Sequence, residues 1–151
     1  MKRTFYFNAQ NNIGKAGEKL FCSFYANLNP STTDGIKHDL VVENGKTVEI
    51  KTDTYSMEAT PNFFFERYGN DKTLKPGGPW RAVEDGIDYF VYFFLQDKTF
   101  FWLDPVKLTR FLDKYTQDLK PKTVQNKGYS SIGYCVPREV CEELFLRVDS
   151  F

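Results

Sequence analysis

The stretch "GIKHDLVVENGKTVEIKTD", residues 35–53, reads as two β-rich segments joined by Glu43-Asn44-Gly45. Asn-Gly between two such segments is the strongest short-range hairpin signal, because both residues tolerate the positive φ of a tight turn. In the second arm Glu49 and Lys51 bracket Ile50, so an extended chain points both charges to one face. A solvated strand carries such charges without further cause. A metal-assisted hydrolytic site has a use for both. If Asn44-Gly45 make the bend, Asp39 in the first arm comes close to Glu49 across the ladder. Two carboxylates side by side repel, and share a site comfortably only with a cation between them.

Working outward, Asn11 to Asn27 has helical spacing, with Ile13, Ala16, Leu20, Phe21 and Phe24 on one stripe and Asn-Pro after it. Downstream, "NFFFERY" (62–68) is a third short strand. Lys75 to Pro79 is a loop, and "WRAVEDG" (80–86) is one or two helical turns. "DYFVYFFLQ" (88–96) is the most apolar run and marks a central strand buried on both faces. "TFFWLD" (99–104) pairs with it across a tight Asp-Lys turn. Asp104-Pro105 then caps a helix carrying Leu108, Phe111, Leu112, Tyr115 and Leu119. After a loop with Lys and Gly, "GYCV" is a last short strand and Pro137 opens a terminal helix to about Arg147. The order predicts an α/β fold, a mixed central sheet flanked by helices, in one domain over residues 1–151.

A chain of 151 residues with 41% apolar and 17% aromatic content can bury a real core. Most aromatics fall in strands and on core-facing helical positions, which favours packing over a base-stacking surface. There is no signal peptide and no stretch near membrane-spanning length, so the expected place is the cytoplasm, away from membranes. Cys22, Cys135 and Cys141 form no CxxC pair, which suits reduced thiols rather than a zinc or iron–sulfur cage. P-loop, dinucleotide-binding and nucleophile-elbow patterns are absent, which leaves small-molecule enzymes of those kinds without support.

The formal net charge is zero, so no global field attracts a polyanion. Locally the balance shifts. Residues 1–51 carry seven Lys/Arg against five Asp/Glu, residues 114–128 four against one, and residues 82–113 three against six. Basic regions on a neutral protein suit an enzyme that must release a nucleic acid; solvated charge explains them equally well.

Hard oxygen ligands without a His or Cys cluster suit Mg²⁺ or Mn²⁺. Lys51, projecting beside Glu49, is placed to stabilise negative charge on a phosphate or to help deprotonate a water. Glu18, within "GKAGEKL" on the first helix, adds a further carboxylate if that helix packs across the sheet. Helix-borne Glu18, then Asp39, then Glu49-Ile50-Lys51 on a hairpin resemble the PD-(D/E)XK nuclease superfamily. The resemblance covers about residues 14–104, and "PGGPWRAVEDGIDYFVYFF" is similar to the later helix and strand of phage-type and Holliday junction-resolving members. It implies a restriction-endonuclease-like αβββαβ core and Mg²⁺-dependent cleavage of DNA. Asp39, Glu49 and the Ile50 carbonyl, with Glu18, would be metal ligands, and Lys51 the catalytic lysine. His38 stands where the motif has proline, and the Asp39–Glu49 spacing is compact. His38, the lone histidine, reads as a neighbour rather than a general base.

Glu66 in "FFFERY" is a further candidate if its strand lies near the site. Lys15, Lys19, Lys37, Arg67 and Arg81 are candidate phosphate contacts. The leading expectation is a Mg²⁺-dependent DNA endonuclease, structure-selective or non-specific, working as a homodimer. The alternative is a catalytically inactive nuclease fold that binds nucleic acid or protein.

Overall fold

The computed structural model describes the backbone of residues 2–33 and 37–151, with side chains from residue 12 onward. Gly35 and Ile36, at the head of the first hairpin arm, lie outside the described residues. Helix α1 (Lys2–Phe24) begins earlier than the apolar stripe predicts and stops short of Asn27. Ala26–Leu28 tighten into a 3₁₀ turn, and Asn29 takes a left-handed φ of 45° just before Pro30. An αL residue of this kind is a common way to end a helix.

Strands β1 (Ser31–Thr32), β2 (Leu40–Val42) and β3 (Lys46–Asp53) follow. The β2–β3 hairpin turns as expected: Asn44 and Gly45 sit at φ 78° and 72°, and Leu40 pairs with Val48. Next come β4 (Asn62–Asn70), β5 (Lys75–Pro76), α2 (Gly78–Glu84), β6 (Tyr89–Phe94), β7 (Thr99–Leu103) and α3 (Pro105–Tyr115). The chain closes with β8 (Lys122–Gln125), β9 (Ser130–Pro137) and β10 (Phe145–Ser150). Asp104 caps α3 as predicted, its carboxylate accepting from the Val106 and Lys107 N–H groups. Leu119 lies beyond the end of that helix.

The class is the expected one, mixed α/β. The first sheet has the order β1-β2-β3-β6-β7-β10, with β3 and β6 parallel and the remaining pairs antiparallel. A clasp fixes the parallel register: the Asp88 carboxylate accepts from the Thr47 N–H at 2.9 Å, and the Asp88 N–H donates to the Thr47 hydroxyl at 3.0 Å. Strand β6 is buried on both faces, as its apolar run predicts. Val91 and Phe93 join Phe21, Tyr25, Val48, Phe100 and Trp102 on the α1 side. Phe90, Tyr92 and Phe94 join Phe63, Phe65, Leu108, Leu112 and Val136 on the other. Each fully buried aromatic of this kind contributes about 1.5–3 kcal/mol of transfer free energy.

Three segments depart from the sequence reading. The "NFFFERY" strand leaves the first sheet and founds a second one, order β5-β4-β9-β8, which packs with α2 and α3 over the Phe90–Phe94 face. The loop expected before "GYCV" contributes β8 to it. The predicted terminal helix is overturned. Arg138–Leu144 form a 3₁₀ segment, and Phe145–Ser150 pair antiparallel with β7. Without β10, β7 would be an open edge of bare N–H and C=O groups, and pairing with it outweighs the helical spacing of "EVCEELFLR". Among the described residues no helix is long and apolar enough to cross a membrane.

Candidate active site

Strand pairing assembles the site. The Asp39 N–H donates to the Val48 carbonyl at 3.1 Å, one step past the Leu40–Val48 pair, which sets Asp39 alongside Glu49. Strand β2 begins only at Leu40, and the Ile50 N–H donates instead to the Asp39 carboxylate at 2.9 Å. Parallel register puts Glu49 beside Phe90 and Lys51 beside Tyr92, so both charges face the second sheet rather than α1. There they meet Glu66, Phe64, Gly77 and Arg81 around a cleft of about 200 Å³.

Burial governs the electrostatics. Burial first, then the Asp39 charge, pushes the Glu49 carboxyl from its ordinary 4.5 up to about 7. Its Oε2 atom is buried with no hydrogen-bond partner. Burial also raises Asp39, and the Ile50 N–H and the Arg81 and His38 charges offset part of this. Glu66 is raised by burial, with Lys51 and Arg81 pulling the other way. Arg81 is thus the cation that bears on three carboxyls of the cleft at once, while touching Asp85 at 3.6 Å.

Glu18 sits differently. Helix α1 crosses β3 on the opposite face, so close at Gly17 that a Cβ there would run into the Thr52 side chain. Glu18 is the next residue, about 100° further round the helix. Burial raises its carboxyl and Asp39's charge raises it further. Among the described residues no group of three or more His, Cys, Asp or Glu side chains gathers as a metal cage. Glu18 is within electrostatic reach of Asp39.

The other candidates divide. Lys15 acts on Glu18 from the same helix, while Lys19 and Lys37 are exposed. The Arg67 guanidinium lies over the Tyr68 and Trp80 rings, at 4.5 and 5.0 Å from their centroids, which makes it a packing group. Glu66 becomes a full member of the cleft. A Cβ at Gly77 would come within 2.9 Å of its Oε1, and one at Gly69 within 3.1 Å. The sequence signal for this cradle was the Gly-Gly after Pro76, legible only as a loop until β4 was placed.

The donors suit a hard divalent cation. Mg²⁺ needs only one or two carboxylates and keeps several waters, and the buried, unpaired Glu49 oxygen beside Asp39 is the kind of atom such an ion satisfies. Asp39, Glu49 and the Ile50 carbonyl would hold it. No family model matches this chain, and a search of the curated proteins finds no match.

Proposed function

We propose that the protein is a metal-dependent DNA endonuclease that hydrolyses phosphodiester bonds in the Glu49–Lys51 cleft. One observation carries this reading: two half-buried carboxylates side by side, one with a buried, unpaired oxygen, next to a lysine on the same strand face. Held by Asp39 and Glu49, Mg²⁺ or Mn²⁺ would supply Lewis-acid stabilisation of charge on the phosphoryl group. Asp39 is pre-oriented for this by the Ile50 N–H. Lys51 places its ammonium where negative charge grows on the attacked phosphate, and Arg81 offers a guanidinium at the mouth of the cleft. The aromatic walls, buried Phe90 and half-buried Phe64, lower the local dielectric and strengthen each of these interactions.

A single cleft of this size cuts one strand. Paired cuts in a duplex or branched substrate would come from a two-fold dimer with two clefts. Incubation with linear duplex, single-stranded, flap and four-way-junction DNA tests the reading, with Mg²⁺, with Mn²⁺ and in chelator. Cleavage that needs the metal and vanishes in Glu49→Ala is expected. Undiminished cleavage in excess chelator overturns the metal reading, and tight DNA binding without cleavage in Mg²⁺ and Mn²⁺ turns the protein into a binding module.

A further inference from the structure

The second sheet is larger than the cleft requires. Only β4 and the residues leading from β5 into α2 line the site, yet β8 and β9 extend the sheet away from it. Glu66 pairs with Gly133 on β9, and Gly133 pairs with Lys122 on β8. Residues paired across a sheet share a face, so Lys122 stands on the same face as Glu66, two strand spacings or about 10 Å away. Both faces of β8 are exposed along its length.

Two hairpin tips meet at one end of this sheet and are locked together. The Asp71 N–H donates to the Ser130 carbonyl at 2.8 Å, and the Ser130 N–H donates to the Asp71 carboxylate at 2.9 Å. The Ser131 hydroxyl adds a bond to the Gly69 carbonyl at 3.2 Å. The tips, β8 and the residues just before it carry exposed Lys72, Lys75, Lys120, Lys122 and Lys127, and the acidic group of the tips, Asp71, is engaged by the Ser130 N–H. Tyr129 is 37% exposed in the same rim. From Glu66 to the end of β4 is about 13 Å of extended chain, close to the ~12 Å width of a major groove.

We propose that this locked pair of hairpins is a ledge that carries the DNA duplex beside the cleft, its lysines neutralising backbone phosphates. It rests on the nuclease reading above and assigns that site its duplex-binding surface. A rigid, predominantly basic, mostly polar rim suits a uniform polyanion without base readout. An acidic protein segment is the competing occupant.

The test uses the full chain and a fluorescein-labelled 24-base-pair duplex, with binding followed by anisotropy over a salt series in chelator. The variant changes Lys72, Lys75, Lys122 and Lys127 to Glu. The control changes Lys98, Lys107, Arg110 and Lys114 to Glu, the same charge change on the β6–β7 turn and on α3. Thermal melts confirm that both fold. Losing four phosphate contacts should lower the slope of log affinity against log salt by roughly 3 to 4, and weaken binding more than tenfold at 0.1 M salt. The control should keep most of the wild-type slope. Equal slopes for wild type and the ledge variant overturn the proposal, as does poly-glutamate binding that needs the ledge while duplex binding does not. The two readings fail separately. Wild-type cleavage with a ledge-independent slope removes the ledge alone, and ledge-dependent binding without cleavage in Mg²⁺ removes the nuclease alone.

Discussion

The Asp39 carboxylate accepts the Ile50 backbone N–H at 2.9 Å. A side chain on one arm of the hairpin thereby takes the place of a ladder carbonyl on the arm that carries Glu49 and Lys51. The bond orients the carboxylate and fixes the arms in the one register that sets Asp39 beside Glu49. A slip of one residue would turn Glu49 and Lys51 toward α1.

Glu49 and Lys51 should separate in their effects. Glu49→Ala removes a carboxylate oxygen from the pair and is expected to lose both metal affinity and cleavage. Lys51→Ala should keep the metal and still lose cleavage by a hundredfold or more, about 3 kcal/mol of charge stabilisation. Isothermal titration with Mn²⁺ and single-turnover cleavage measure the two quantities. An active Lys51→Ala protein ends the assignment of that residue.

Glu49 also predicts a pH dependence of stability in the metal-free protein. Its carboxyl titrates near 4.5 when unfolded and about 7 when folded, because burial and Asp39 disfavour its charge. The folded state holds the proton longer, so this contribution is intact below about pH 4.5 and is lost as pH rises through about 7. Glu49→Gln, which stays neutral, should be more stable than wild type at pH 8 by up to roughly 3 kcal/mol, and equal to it near pH 4. Urea denaturation at both pH values checks this. Added Mg²⁺ should raise wild-type stability and leave the variant unmoved.

The Glu66 cradle is tested by filling it. Gly77→Ala places a methyl 2.9 Å from Glu66 Oε1 and Cγ, and 3.1 Å from the Gly69 nitrogen. Overpacking of this kind costs about 1–3 kcal/mol. If the clash is chiefly with the Glu66 side chain, Gly77→Ala combined with Glu66→Ala should be less destabilised than the two single effects added. The coupling should be about 1 kcal/mol or more by denaturant melts. Strict additivity would show that the methyl meets something other than Glu66.

Tyr92 joins the two sheets. Its hydroxyl donates to the Asp53 carboxylate at 2.5 Å and accepts the Phe64 N–H at 3.0 Å, linking β6 to β3 and β4. Tyr92→Phe keeps the ring packing and strands both partners, which should cost about 1–3 kcal/mol. A thermal melt unchanged from wild type would mean that water replaces the hydroxyl.

Short-range chemistry encodes part of this arrangement. Asn44-Gly45 accept the positive φ of the turn, the two-residue period of a strand puts Glu49 and Lys51 on one face, and the unbroken apolar run of β6 requires cover on both sides. Those three facts carry the mixed α/β class and the Asp39–Glu49–Lys51 cluster. Tertiary structure alone decided the rest, because it rests on partners remote in the chain. Glu66 entered the cleft when β4 left the first sheet to pair with β9, a register no local period contains. Glu18 came within reach of Asp39's charge because α1 approaches Thr52 through Gly17, on the face opposite Glu49. Arg67, a plausible phosphate contact as a residue type, was drawn onto the Trp80 ring. Phe145–Ser150 became a strand because the open edge of β7, some forty residues earlier, offered hydrogen bonds that an isolated terminal helix could not match.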